Sequence, residues 1–138
     1  MNKELSELLQ ELSQIPGVSG YEHAVRSFLR ERYAPYVDEF VEGRVGNLIM
    51  IKQGNGSEPR RKVMIATHID EIGGMVSDIE QGFIRFSGIG YLDRRHLIGQ
   101  EVTVFGRQPY HGVVASRPPH FKDEDISEYP KIADYIID

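Results

Sequence analysis

Val63-Met64-Ile65-Ala66-Thr67-His68-Ile69-Asp70-Glu71 is the stretch on which the reading of this chain turns. Four consecutive apolar residues, preceded by the cations Arg60-Arg61-Lys62, suit a strand buried on both faces better than an alternating, half-buried one. The run is therefore predicted as the central strand of an α/β sheet, with the cations as a solvated guard at its entry. Polar residues follow at once. Reactive groups in open α/β sheets gather at the carboxyl ends of central strands, where the backbone opens into a crevice. His68 and Asp70 are two positions apart, so on extended chain they point to the same side. A carboxylate so placed accepts the N–H of one imidazole nitrogen, which fixes the tautomer and leaves the other nitrogen basic toward a metal. His68 is the candidate metal ligand and Asp70 the residue that orients it. The tripeptide H-x-D is common by chance; its place after the most apolar run and before Glu71 and Gly73-Gly74 singles it out. A strand-end His held by its neighbour's carboxylate is the competing structural reading.

Upstream of this run the grammar is helical. Leu5, Leu8, Leu9 and Leu12 recur at i, i+3, i+4 and i+7, which predicts an amphipathic helix over about Lys3–Ser13 whose leucine stripe packs on a sheet. Pro16 and Gly17 interrupt it. Ser19-Gly20-Tyr21-Glu22 has the S-x-x-E form of a capping box, which assigns Ser19 a capping role and opens a second helix over Tyr21–Tyr33, stopped by Pro35. Val37–Glu42 and Asn47–Lys52 then read as a strand pair around Gly43 and Gly46, and Gln53–Arg60 as a loop.

Downstream, short apolar segments recur at Gly74–Ile79, Phe83–Ser87, Glu101–Phe105 and Gly112–Ser116, separated by glycine-rich turns. That rhythm predicts a small antiparallel barrel or sandwich. Ala133-Asp134-Tyr135-Ile136-Ile137-Asp138, a short apolar alternation, reads as the start of another strand. The expected organisation is residues 1–71 as the opening of an α/β domain, 72–119 as the main part of a β module, and 120–138 as an acidic, incomplete return segment. Lys122–Asp138 alone contributes −4 of the net charge of −5.

The remaining composition sets limits. A chain of 138 residues with 40% hydrophobic residues can bury about two-thirds of its unfolded surface. An excess of acids over bases, 21 against 16, argues against nucleic acid or an anionic membrane as partner. With zero Cys there is no disulfide, thiolate ligand or thiol nucleophile. No apolar run approaches the about 18 residues of a membrane span, so a cytoplasmic protein is expected.

Other candidates are weaker. A catalytic metal site takes about three protein ligands plus an open position. His23 lies on a predicted helix surface, His96 on a solvated turn after Asp93-Arg94-Arg95, and His111 in a Pro-Tyr-His-Gly hairpin turn; only His120, after Pro118-Pro119, sits where a rigid loop could lean back toward a crevice. Ser19 and Ser116 lack a base nearby in sequence. Gly43-Arg44-Val45-Gly46 precedes a strand rather than the helix that phosphate binding requires.

Five segments, taken in order, resemble the glutamyl and deblocking aminopeptidases, co-catalytic metallopeptidases of tetrahedral type, some of which carry an endoglucanase label. They are Ile15-Pro16-Gly17-Val18-Ser19-Gly20-Tyr21-Glu22, Val45-Gly46-Asn47-Leu48-Ile49, Ala66-Thr67-His68-Ile69-Asp70-Glu71-Ile72-Gly73, Gly99-Gln100-Glu101-Val102 and Pro118-Pro119-His120. The resemblance implies the beginning of a phosphorylase/hydrolase-like α/β peptidase domain with an inserted small β-barrel of PDZ-like type. It implies that His68 is a metal ligand oriented by Asp70, that two zinc or cobalt ions activate the attacking water, and that a Glu base and the other ligands lie beyond Asp138. The chain looks like about the first two-fifths of the family pattern. Gly43 stands where many relatives carry Asp, and Gly74 where a large aromatic is common, which would loosen packing beside the metal loop.

The expectation is thus a metal-dependent aminopeptidase acting on peptides, inactive as this chain alone and homo-oligomeric through its β module. A non-catalytic oligomerisation or binding module is the alternative. A glycosidase comes third, because Asp70 and Glu71 are adjacent and would point apart on extended chain rather than flank a sugar.

Overall fold

The computed structural model describes residues 3–116 and 130–138. It contains helices α1 (Lys3–Leu12) and α2 (His23–Tyr33), strands β1 (Glu39–Glu42), β2 (Leu48–Ile51), β3 (Gly73–Glu80), β4 (Phe83–Ile89), β5 (Glu101–Phe105), β6 (Pro109–Ser116) and β7 (Tyr135–Ile137), and short 3₁₀ turns at Arg94–His96 and Ile132–Asp134. This is a mixed helix and sheet fold in two compact units, Met1–Glu71 and Ile72–Asp138. No helix among the described residues is long and apolar enough to cross a membrane.

In the first unit, α2 turns Val25 and Leu29 inward. Its guanidinium groups hold the β1–β2 hairpin: Arg26 donates to the Gly46 carbonyl at 3.1 Å, and Arg30 pairs with Glu42 at 2.8 Å while lying 5.0 Å over the Phe40 ring. Asp38 closes the hairpin's open end, accepting from Lys52 Nζ at 2.8 Å and from the Gln53 amide at 2.6 Å. Three expectations are corrected here. The leucine stripe of α1 buries no residue, and Leu5 and Leu9 are half exposed. Periodicity identifies the apolar face of a helix but not what covers it. The capping box does not form: Glu22, not Ser19, occupies the N-cap of α2, and its Oε1 accepts from the Gly20 amide at 2.6 Å.

The third is the buried central strand expected at Val63–Ala66. Val63–Ala66 is in no strand, and Val63, Met64 and Ile65 are 86%, 88% and 89% exposed. Strand-forming side chains need a partner backbone as well as a propensity. The only sheet of this unit among the described residues is the β1–β2 pair, and neither of its strands pairs with this run.

The second unit is a five-stranded antiparallel sheet in the order β3-β4-β7-β6-β5. Among the described residues its edge strands β3 and β5 do not pair, so the sheet is open rather than a closed barrel. The chain's last strand lies at its centre because Tyr135 and Ile137, alternating across Ile136, share one face with Phe86 and Val114. Tyr135 is 0% and Val114 2% exposed; side chains of this size contribute roughly 1.5–3 kcal/mol each on burial. The Tyr135 hydroxyl donates to the Arg94 carbonyl at 2.8 Å, so its one polar group is satisfied inside the core. Gly74 does not loosen the packing: a Cβ there would come within 2.9 Å of Phe86 Cδ2, so the ring already fills the space.

Candidate functional site

The segment carrying His68 and Asp70 is held by the turn that follows α1. The Gly17 amide donates to Glu71 Oε1 at 2.9 Å, and the Glu71 amide donates back to the Gly17 carbonyl at 2.9 Å. Val18 and Glu71 form an isolated parallel bridge. Gly17 must be glycine for space, since a Cβ would lie 2.6 Å from Val25 Cγ2 on α2. Gly20, at φ +90°, completes a tight turn in which the Tyr21 amide donates to the Val18 carbonyl at 2.7 Å. A left-handed third position is what glycine supplies at no steric cost.

This framework brings Ser19, Asp70 and His68 into one line of hydrogen bonds. The Ser19 hydroxyl donates to Asp70 Oδ2. On the other side, His68 Nδ1 lies 3.0 Å from Asp70 Oδ1 and 3.1 Å from the Asp70 carbonyl oxygen. Both of these are acceptors, so in the neutral ring Nδ1 is the nitrogen that carries the proton and Nε2 the one that keeps its lone pair. The His68 side chain is 83% exposed and that of Asp70 37%, so the ring's Nε2 edge faces solvent while the carboxylate is partly sheltered. The Asp70 carboxyl titrates below its ordinary value, first because of the Ser19 hydroxyl and then because of His68, both of which favour the anion.

The other sequence candidates lie elsewhere. Glu71 is engaged by the Gly17 amide. His23 opens α2 on an exposed face. His96 ends a 3₁₀ turn, 3.9 Å from Asp93, whose carboxyl Arg95 holds well below the usual carboxylate range. His111 is within β6 opposite Thr103, not in a turn; the strand extends back to Pro109, a residue tolerated where a strand begins. Ser116 ends β6, paired with Tyr135, and His120 falls outside the described residues. Among the described residues, no group of three or more metal-capable side chains gathers. Sequence reasoning missed the Ser19–Asp70 contact; the residues are 51 positions apart, and no local pattern links them.

A family model described as M42 glutamyl aminopeptidase matches residues 46–138. The chain belongs to this family. Against a lysyl aminopeptidase of Pyrococcus furiosus it is 36% identical over 129 residues, covering 91% of this chain and 36% of that protein. A crystal structure of a TET aminopeptidase from a marine-sediment thaumarchaeon superposes with a TM-score of 0.88 at 33% identity, covering 99% of this chain and 38% of that one. A TET1 peptidase of Pyrococcus horikoshii, described as assembling into a tetrahedron or a large octahedral shell, matches with a TM-score of 0.79 at 32% identity, over 97% of this chain and 40% of that one. The chain spans 29% of the length of a putative aminopeptidase of Acetivibrio thermocellus and 39% of that of a glutamyl aminopeptidase of Lactococcus lactis.

Proposed function

We propose that this chain is the amino-terminal part of a metal-dependent aminopeptidase, in which His68 is a metal ligand through Nε2 and Asp70 orients it. The observation that carries this reading is the hydrogen-bonded Nδ1 of an otherwise exposed ring, which leaves a single nitrogen available at the surface. The residues present fit one ligand position of a divalent ion. A catalytic site takes about three protein ligands and an open position, so the others, a second ion's ligands and the general base come from polypeptide beyond these residues. Two zinc or cobalt ions in the complete enzyme would supply Lewis acidity and water activation for cleaving the N-terminal peptide bond. This chain's own part is to present a neutral imidazole of fixed orientation.

The exposed Val63–Ala66 run supports the same reading, since four apolar residues entering the candidate site are in need of cover. In the complete domain it becomes the central strand of a phosphorylase/hydrolase-like sheet, and the five-stranded unit is the main part of a PDZ-like insertion. We infer homo-oligomerisation through that unit, by analogy with the TET1 assemblies, and a cytoplasmic place, in keeping with zero Cys. A glycosidase reading is disfavoured because Asp70 and Glu71 are each committed to a neighbour in the first unit.

The test is metal titration and hydrolysis of aminoacyl-anilides. The 138-residue chain should neither retain a metal pair nor turn over substrate, whereas the chain joined to its completing polypeptide should do both and lose both on His68→Ala. Turnover by the isolated chain that depends on His68 would overturn the ligand count. A complete assembly whose metal content and activity ignore His68→Ala would favour the non-catalytic binding module.

A further inference from the structure

We propose that Ser19 is a positioning residue for the site, acting on His68 through Asp70; this rests on the reading of His68 as a ligand. A carboxylate hydrogen-bonded on one oxygen alone can twist about its Cβ–Cγ bond, and the imidazole it steers swings with its plane. Here each oxygen has a separate partner: Oδ2 takes the Ser19 hydroxyl proton and Oδ1 faces His68 Nδ1. The carboxylate plane is therefore fixed from the side opposite the histidine.

Ser19 can serve as this fixed point because its own backbone is tied at both ends. Before it, Gly17 exchanges two hydrogen bonds with Glu71, the residue immediately after Asp70. After it, the Gly20 amide is held by Glu22 Oε1 at 2.6 Å and the Tyr21 amide by the Val18 carbonyl. The hydroxyl and the carboxylate are thus registered by main-chain bonds on both sides of their contact. A serine whose role was only to start α2 would cap that helix, and this one does not.

The experiment reads the His68 ring directly in the metal-free 138-residue protein, by long-range proton–nitrogen NMR above the imidazole's titration range. Wild type should show the Nδ1–H tautomer predominating. Ser19→Ala should move the ring part of the way toward the Nε2–H form favoured by free histidine, the Asp70 carbonyl at 3.1 Å from Nδ1 still holding the rest, while Ser19→Thr, which keeps the hydroxyl, should restore the wild-type signature. The amide signals of Gly17 and Glu71 report in the same spectra that their bridge survives. A ring unchanged in Ser19→Ala, or disturbed equally in Ser19→Thr, overturns the proposal. Because no metal is present, a null result here leaves the ligand reading standing, and a His68 that never binds metal leaves this result standing.

Discussion

Gly17 and Glu71, 54 residues apart, hold each other by two hydrogen bonds, main chain to main chain and main chain to carboxylate, each 2.9 Å long. The bridge carries the Pro16–Glu22 turn to the segment bearing His68 and Asp70. It explains why the sequence places glycine at this point: the turn's backbone lies against Val25, and a methyl group would meet Val25 Cγ2 at 2.6 Å.

Gly17→Ala should therefore destabilise the first unit by about 1–3 kcal/mol, the usual cost of overpacking. Urea unfolding followed by the amide signals of α2 measures it. The same variant should broaden the His68 ring signals, as the segment loses its anchor.

The second unit depends on Tyr135. Tyr135→Phe removes the donor to the Arg94 carbonyl and should cost about 1 kcal/mol, whereas Tyr135→Ala empties the core beside Val114 and Phe86 and should cost about 3–5 kcal/mol. Denaturant midpoints of the two variants should fall in that order.

Acid should loosen the β1–β2 hairpin. Lys52 and the Gln53 amide hold the Asp38 carboxyl below its ordinary value of 3.8, so the folded form binds its proton less readily than the unfolded one. The stability this supplies is complete above 3.8 and is lost as pH falls through the lower folded value. Asp38→Asn should lower stability at neutral pH and flatten the acid limb of the unfolding curve, measured by circular dichroism against pH.

The sequence made the elements legible wherever a local pattern sufficed. Leucines at helical spacing mark α1, and the alternation of Tyr135 and Ile137 marks β7 as a strand. Partnership was not legible. Nothing in Tyr135-Ile136-Ile137 says that it pairs between β4 and β6, and nothing in Val63–Ala66 says which strands lie beside it. At the candidate site, His68 and Asp70 are close because they are two apart on the chain. Ser19 was hidden because its S-x-x-E context offers a complete local explanation, and the contact that displaces it crosses 51 residues.

Whether Nε2 of His68 grips a divalent ion can be read by anomalous diffraction from zinc-loaded crystals of the chain joined to its completing polypeptide. An anomalous peak is expected about 2.0–2.1 Å from His68 Nε2, with Nδ1 still facing Asp70. A metal peak remote from His68, or one bound through Nδ1 with the Asp70 contact broken, would contradict it.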